Sequence, residues 1–219
     1  LTNDLRNNRN ITLNNDSTKA VYLSGRDEVR LIDLKNFKST TIVKDEIWAF
    51  QNSAPSFSPK GDYVLFSAKR NFELDIFIYN IKKGETINLT NTGVSEEDPI
   101  WSPDGKYIYF ASDRTSPSYP LGMQKSNIYR MALDWFDSPY KSEKFENLFT
   151  ENNNTEKENK DTKKIKEKEN KKENKEEIKE LKINPENTLE RIELITDRYG
   201  YQYASSFISD DKKQILFFN

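Results

Sequence analysis

The chain has 219 residues, a net charge of −2 and a hydrophobic fraction of only 34%, so bulk charge does not draw it to nucleic acid or to an anionic membrane. It holds no His and no Cys, which excludes a His general base, a Ser-His-Asp triad, a His-ligated metal, a thiolate and a disulfide within these residues. No apolar run approaches the ~18–20 residues that span a bilayer.

In chain order, the first signal is a weak one. Leu13, Ser17, Tyr22 and Arg26 stand at the spacing of two stronger segments downstream. Leu1-Thr2-Asn3 precedes Leu13 at the interval by which Leu89-Thr90-Asn91 precedes Trp101. Val29-Arg30-Leu31-Ile32 and Thr41-Ile42-Val43 then read as two further short strands. The next segment is Ala54-Pro55-Ser56-Phe57-Ser58-Pro59-Lys60-Gly61-Asp62-Tyr63-Val64-Leu65-Phe66, and it returns at a shift of 44 as Asp98-Pro99-Ile100-Trp101-Ser102-Pro103-Asp104-Gly105-Lys106-Tyr107-Ile108-Tyr109-Phe110. A period near 44 is that of a β-propeller blade of four short strands.

The local chemistry agrees with that period. Ser58-Pro59-Lys60-Gly61 and Ser102-Pro103-Asp104-Gly105 are type I turn sequences, with Ser first, Pro fixing φ at the second place and Gly at the fourth. Each turn leads into an unbroken apolar strand, Tyr63 to Ser67 and Tyr107 to Ala111, which implies burial on both faces. Ile76 to Tyr79 and Ile128 to Met131 are third strands, and Thr86 to Thr90 alternates as a half-exposed fourth strand does.

The third repeat is enlarged twice. Its loop from Asp113 to Ser126 is longer than the matching loop before it, and carries an apolar tip with Tyr119, Leu121 and Met123. These three are candidate substrate- or partner-contact residues, the alternative being that the tip packs on a neighbouring blade. Ser138-Pro139 then reads as a helix cap, with Phe145, Leu148 and Phe149 at helical spacing, so a helix is expected over 139–149. Residues 151–182 hold 11 Lys, 10 Asp or Glu, 6 Asn and no aromatic residue, a composition that favours disorder. Leu189 to Thr196 supplies the displaced fourth strand, and a last partial copy runs from Phe207 through Ile215-Leu216-Phe217.

The expected fold is therefore all-β, a partial β-propeller of four-stranded antiparallel blades with one short helix and a disordered charged insert. Residues 1–53 are a first blade with the end of a preceding one, and 54–97 are a second. Residues 98–200 are a third, interrupted by the helix 139–149 and the insert 151–188, and 201–219 begin a further blade. Arg26, Arg70 and Arg114 recur at one blade position and read as structural anchors between blades. The acidic run Glu96-Glu97-Asp98 is a candidate cation ligand, but it lacks a defined ligand spacing, and a solvated turn is the better reading. No catalytic residue, metal ligand or cofactor loop is identified.

The pattern Ser102-Pro103-Asp104-Gly105-Lys106-Tyr107-Ile108-Tyr109-Phe110-Ala111-Ser112-Asp113-Arg114 resembles the WD-like propeller repeats of tricorn-type serine peptidases and TolB-like proteins. The order of Tyr119 to Gln124, Asn127 to Arg130, Phe145 to Phe149, the Lys/Glu-rich insert and Glu190 to Ile195 resembles the N-terminal propeller region of bacterial tricorn-type peptidases. This resemblance implies a parent serine peptidase acting on peptides, oligomeric, whose propellers filter or channel substrate. It also implies a peptidase core and a peptide-binding module C-terminal to the propellers. The family's catalytic motif matches no position here. The implied partners are a peptide or protein substrate, the remaining blades, the peptidase core and further copies of the parent, with no nucleic acid and no membrane span. The resemblance implies a soluble, cytoplasmic location, with the periplasm as the alternative. Two other readings use the same repeats: a TolB-like interaction scaffold without an enzyme, and the propeller of a prolyl-oligopeptidase-type hydrolase.

Overall fold

The computed structural model describes residues 4–45, 53–70, 73–118, 121, 123–135, 181–196, 200–207 and 215–218. The expected helix over 139–149, most of the charged insert and Leu1-Thr2-Asn3 lie outside them. Leu1–Asp134 and Lys182–Asn219 group into one unit, which contains every strand named below.

Three four-stranded antiparallel sheets follow one another along the chain, each in simple sequential order. The first holds β1 (Asn8–Leu13), β2 (Lys19–Ser24), β3 (Glu28–Asp33) and β4 (Ser39–Lys44). The second holds β5 (Ser56–Phe57), β6 (Tyr63–Arg70), β7 (Glu73–Asn80) and β8 (Glu85–Asn88). The third holds β9 (Glu96–Trp101), β10 (Tyr107–Ser112), β11 (Asn127–Ala132) and β12 (Ile192–Leu194). A two-stranded sheet, β13 (Tyr203–Phe207) with β14 (Ile215–Phe218), follows. The chain is thus all-β, in the open, propeller-like arrangement that its repeat implies. Among the described residues no helix is long and apolar enough to cross a membrane.

The turn sequences do what their residues dictate. Gly61 N–H donates to the Ser58 carbonyl at 2.8 Å and Gly105 N–H to the Ser102 carbonyl at 2.9 Å, with φ of 78° and 73°. The Ser58 hydroxyl accepts the Tyr63 N–H at 3.1 Å, and that of Ser102 accepts the Tyr107 N–H at 2.9 Å, so each turn also caps the strand that leaves it. In the first sheet Ser17 takes the glycine position at φ 55°, and the Asn14 side-chain oxygen accepts the Lys19 N–H at 2.9 Å. The repeat survives there in geometry although its residues have changed.

Side chains of the second and third strands are buried on both faces, as their unbroken apolar character requires. Val21, Leu23, Val29 and Val43 of the first sheet share one cluster with Phe57, Val64, Phe66, Ala68 and Phe77 of the second. Phe66 and Phe77 pair across the strands with ring centroids 5.5 Å apart, and Phe110 and Tyr129 repeat the pair in the third sheet at 6.0 Å. Leu13, Phe57 and Trp101 are equivalent in the repeat. Phe57 and Trp101, each next to the sheet before it, are 9% exposed, whereas Leu13 is 52% exposed.

The fourth strand of the third sheet arrives after a long excursion. β11 ends at Ala132 and β12 begins at Ile192, yet Tyr129, Arg130 and Met131 pair with Leu194, Glu193 and Ile192. Residues 182–188, which fall inside the expected insert, are already seated here, since Asn184 N–H donates to the Leu133 carbonyl at 2.8 Å. A 3-10 turn, Thr188–Arg191, completes the return. A threonine secures the return in the second and third sheets. The Ile76 N–H donates to Thr90 Oγ1 at 3.0 Å, and the Ile128 N–H donates to Thr196 Oγ1 at 2.9 Å.

Phe66→Ala should destabilise the chain by about 3–5 kcal/mol, through lost transfer energy and a cavity between two sheets. Leu121→Ala, at an exposed position, should stay within about 0.5 kcal/mol. Gly61→Ala has open space around the new methyl group, but should still cost about 1–2 kcal/mol because of its positive φ. Urea unfolding of the three variants measures all of these changes.

Candidate functional site

The strongest concentration of unusual chemistry is on β9. Glu96-Glu97-Asp98 is not the solvated turn expected from composition. It forms the start of a paired strand, with Glu96 opposite Ser112 and Glu97 opposite Ala111. Asp98 and Pro99 then face a single residue of β10, so the strand bulges there, with Asp98 at φ 50°. A bulge accepts a proline in the ladder and re-aims the neighbouring side chains. Asn10 occupies the equivalent bulge of β1 at φ 54°.

Strand alternation separates the three acids. Glu96 is fully buried. Its Oε1 accepts the Thr92 hydroxyl at 2.7 Å and the Arg114 guanidinium at 2.9 Å. Burial drives its pKa up to about 7, against the pull of Thr92 and Arg114 and with added repulsion from Asp75. Asp75 is buried nearby and accepts Asn88 Nδ2 at 2.8 Å and the Thr92 N–H at 3.2 Å. Glu97 points elsewhere and accepts the Tyr201 hydroxyl at 3.1 Å. Its pKa is raised by burial and by Asp98 and Asp113, and is opposed by Tyr201 and Lys69. Burial also raises Asp98.

The residues singled out in the sequence lie around this strand unevenly. Arg114 follows β10 and bonds Glu96 inside its own sheet. Arg26 is exposed in the hairpin turn between β2 and β3, and Arg70 ends β6. Part of the charge pairing in the first sheet falls to residues that the repeat does not mark. Arg6 bonds Ser24 and Asp27, and Arg30 bonds Asp4 at 2.6 Å and Glu28 at 2.7 Å. In the 113–126 loop, Leu121 is 76% exposed and Met123 is half-buried, while Tyr119 lies outside the described residues. Asp113 roots that loop, its Oδ2 accepting the Ser118 N–H at 3.1 Å.

A second polar cluster went unmarked in the sequence. Ser126, Thr196 and Gln202 are buried together. Gln202 N–H donates to Ser126 Oγ at 2.8 Å, Ser126 Oγ donates to the Gln202 carbonyl, and Thr196 Oγ1 donates to Gln202 Oε1. It ties the end of the long loop to the chain returning from the insert, and its members are brought together only by the fold. Among the described residues no group of three acidic side chains is arranged to hold a metal ion.

Comparison with known proteins places this geometry. The TolB beta propeller domain family matches residues 12–218. An uncharacterized peptidase of Bacillus subtilis, YuxL, is 30% identical over 87 residues, covering 36% of this chain and 13% of that protein. The TolB structure of Acinetobacter baumannii is 27% identical, with a TM-score of 0.47, over 60% of this chain and 31% of that one. The tricorn protease structure is 13% identical, with a TM-score of 0.57, over 96% of this chain and 20% of that one. The chain thus spans less than a third of each of these three proteins.

Glu96 makes stability depend on pH in a definite direction. Its folded pKa of about 7 lies above the ordinary value of 4.5, so the folded chain binds the proton more tightly than the unfolded one. That stabilisation is complete below about pH 4.5 and is lost as pH rises through 7, by up to about 3 kcal/mol. Denaturant titrations between pH 4.5 and 8 should show the fall, and Glu96→Gln should remove most of it.

Proposed function

From a chain that belongs to the TolB beta propeller domain family, we propose a non-catalytic propeller segment that serves a tricorn-like serine peptidase in substrate access or assembly. The observation that carries this reading is the interruption between β11 and β12. It stands where the sequence resembles the N-terminal propeller region of tricorn-type peptidases. The fold likeness to the tricorn protease, over 96% of the chain, supports the architecture.

In this reading the rigid sheets hold the 113–126 loop, with Leu121 presented to solvent, where an unfolded peptide passes. The partners are that peptide, further blades, a peptidase core and other copies of the parent. The family match by itself favours a second reading, a TolB-like interaction scaffold with no enzyme attached.

The isolated 219-residue chain should not hydrolyse unstructured peptides, whereas the full-length protein should. Leu121→Ala combined with Met123→Ala in the full-length protein should lower kcat/KM several-fold for long peptides and leave a short chromogenic substrate unaffected. Hydrolysis by the isolated chain would overturn the non-catalytic assignment. Unchanged long-peptide kinetics in a folded variant would remove the loop from substrate access. An inactive full-length protein would favour the scaffold.

A further inference from the structure

A run of hydrogen bonds crosses from the second sheet to the start of the 113–126 loop, and the fully buried carboxyl of Glu96 stands in its middle. Asp75 on β7, 1% exposed, accepts the Thr92 N–H at 3.2 Å. The Thr92 hydroxyl donates at 2.7 Å to Oε1 of Glu96, the first residue of β9. The same oxygen accepts the Arg114 guanidinium at 2.9 Å, while Oε2 is buried with no hydrogen-bond donor among the described residues. Arg114 depends on this bond in turn. Among the described residues its guanidinium donates to Glu96 alone, and its Nε is buried without an acceptor. Arg114 follows Asp113, whose carbonyl and carboxylate accept the Ser116 and Ser118 amides at 2.7 and 3.1 Å. The pair thus ties the 113–118 turn to the buried start of β9.

Burial and the Asp75 charge favour the protonated form of Glu96, Thr92 and Arg114 favour the ionised form, and the balance lies at about 7. Other charges on the elements packed here are engaged elsewhere. Glu73 on β7 accepts the Ser95 hydroxyl, Lys69 on β6 acts on Glu97, and Asp113 accepts the Ser118 N–H. Thr92 offers each state of Glu96 a complete arrangement. With Glu96 ionised, Oε1 takes the Thr92 hydroxyl and the Arg114 guanidinium in charge-assisted bonds. With a proton on Oε1, that oxygen donates to Thr92 Oγ1, and the Thr92 hydroxyl turns to the Val94 carbonyl, 3.1 Å away. Arg114 then faces a neutral group and loses the charge that holds it.

We infer that Glu96 and Arg114 form a pH-dependent latch: ionised Glu96 holds the 113–118 turn on β9, and protonated Glu96 releases Arg114 and frees the turn. The latch acts on the turn whether or not a peptide is present, so it does not depend on the peptide-contact reading. Global stability runs the other way, being greatest with Glu96 protonated, so a general loosening of the chain does not produce the same profile.

The chain has no Cys, so Ser116→Cys, at an exposed position, takes a nitroxide label beside the latch, and Lys35→Cys, also exposed, takes a control label in the first sheet. Electron paramagnetic resonance of the 219-residue chain, from about pH 5.5 to about pH 8.5, reads the mobility of each label. The Ser116 label should tumble about twofold faster or more at the acid end. Its midpoint should lie near pH 7, and the Lys35 label should not change. Glu96→Gln, which keeps the shape of the protonated acid, should leave the Ser116 label mobile at every pH. Arg114→Gln should do the same with the buried acid still in place, which separates the latch from any other effect of Glu96. Circular dichroism checks folding, and if one variant does not fold, the other decides. A Ser116 label indifferent to pH overturns the inference, as does a pH response that persists in either folded variant. Equal responses at Ser116 and Lys35 assign the change to the whole chain and overturn it as well.

Discussion

Apolar side chains on both faces of the second and third strands govern everything else in this chain. A sheet built this way leaves one face in water unless a second sheet covers it, and burial of such side chains contributes about 1.5–3 kcal/mol each. The cluster that runs from Val21 and Leu23 to Phe57, Phe66 and Phe77 belongs to neither sheet alone. It obliges successive repeats to stack. The equivalent aromatic pairs, Phe66 with Phe77 and Phe110 with Tyr129, show the same solution used twice.

Stacking alone does not order the fourth strands, which are short and partly exposed. In the second and third sheets a threonine hydroxyl accepts an amide of the third strand, Thr90 for Ile76 and Thr196 for Ile128. This bond is local in space but indifferent to the length of chain between its ends. The third sheet can therefore release the chain after β11 and take it back at β12 without losing its register. An insertion at that point adds loop-closure entropy, which grows only slowly with length, and leaves the stacked core unchanged.

The acids of β9 illustrate how such a scaffold alters chemistry. In a turn they would be ordinary solvated carboxylates. In a paired strand beside other sheets, alternation sends Glu96 into the interior and leaves Glu97 and Asp98 half-buried, and the loss of water pushes all three pKa values up. Their placement, rather than their number, makes them candidates for function.

The repeat period, the two Ser-Pro-x-Gly turns and the unbroken apolar strands were all legible in the sequence, because each rests on interactions between near neighbours. Turn geometry depends on four residues, and a strand's burial is written in its own composition. The TolB-like character of the repeat was legible in the same residues. The acidic run was misread, because nothing in Glu96-Glu97-Asp98 states which strand will pair with it; the register opposite Ser112 and Ala111 decides that. The joining of Ser126, Thr196 and Gln202 was invisible for the same reason, since those contacts bridge an insertion and two sheets. Arg26, Arg70 and Arg114 were legible as a repeat, but only the fold showed Arg114 facing Glu96 within one sheet. Sequence alone determined the local units, whose energies are set by adjacent residues. Tertiary structure decided which polar side chains lose their water and which partners they meet, because desolvation and long-range pairing exist only once the sheets have stacked.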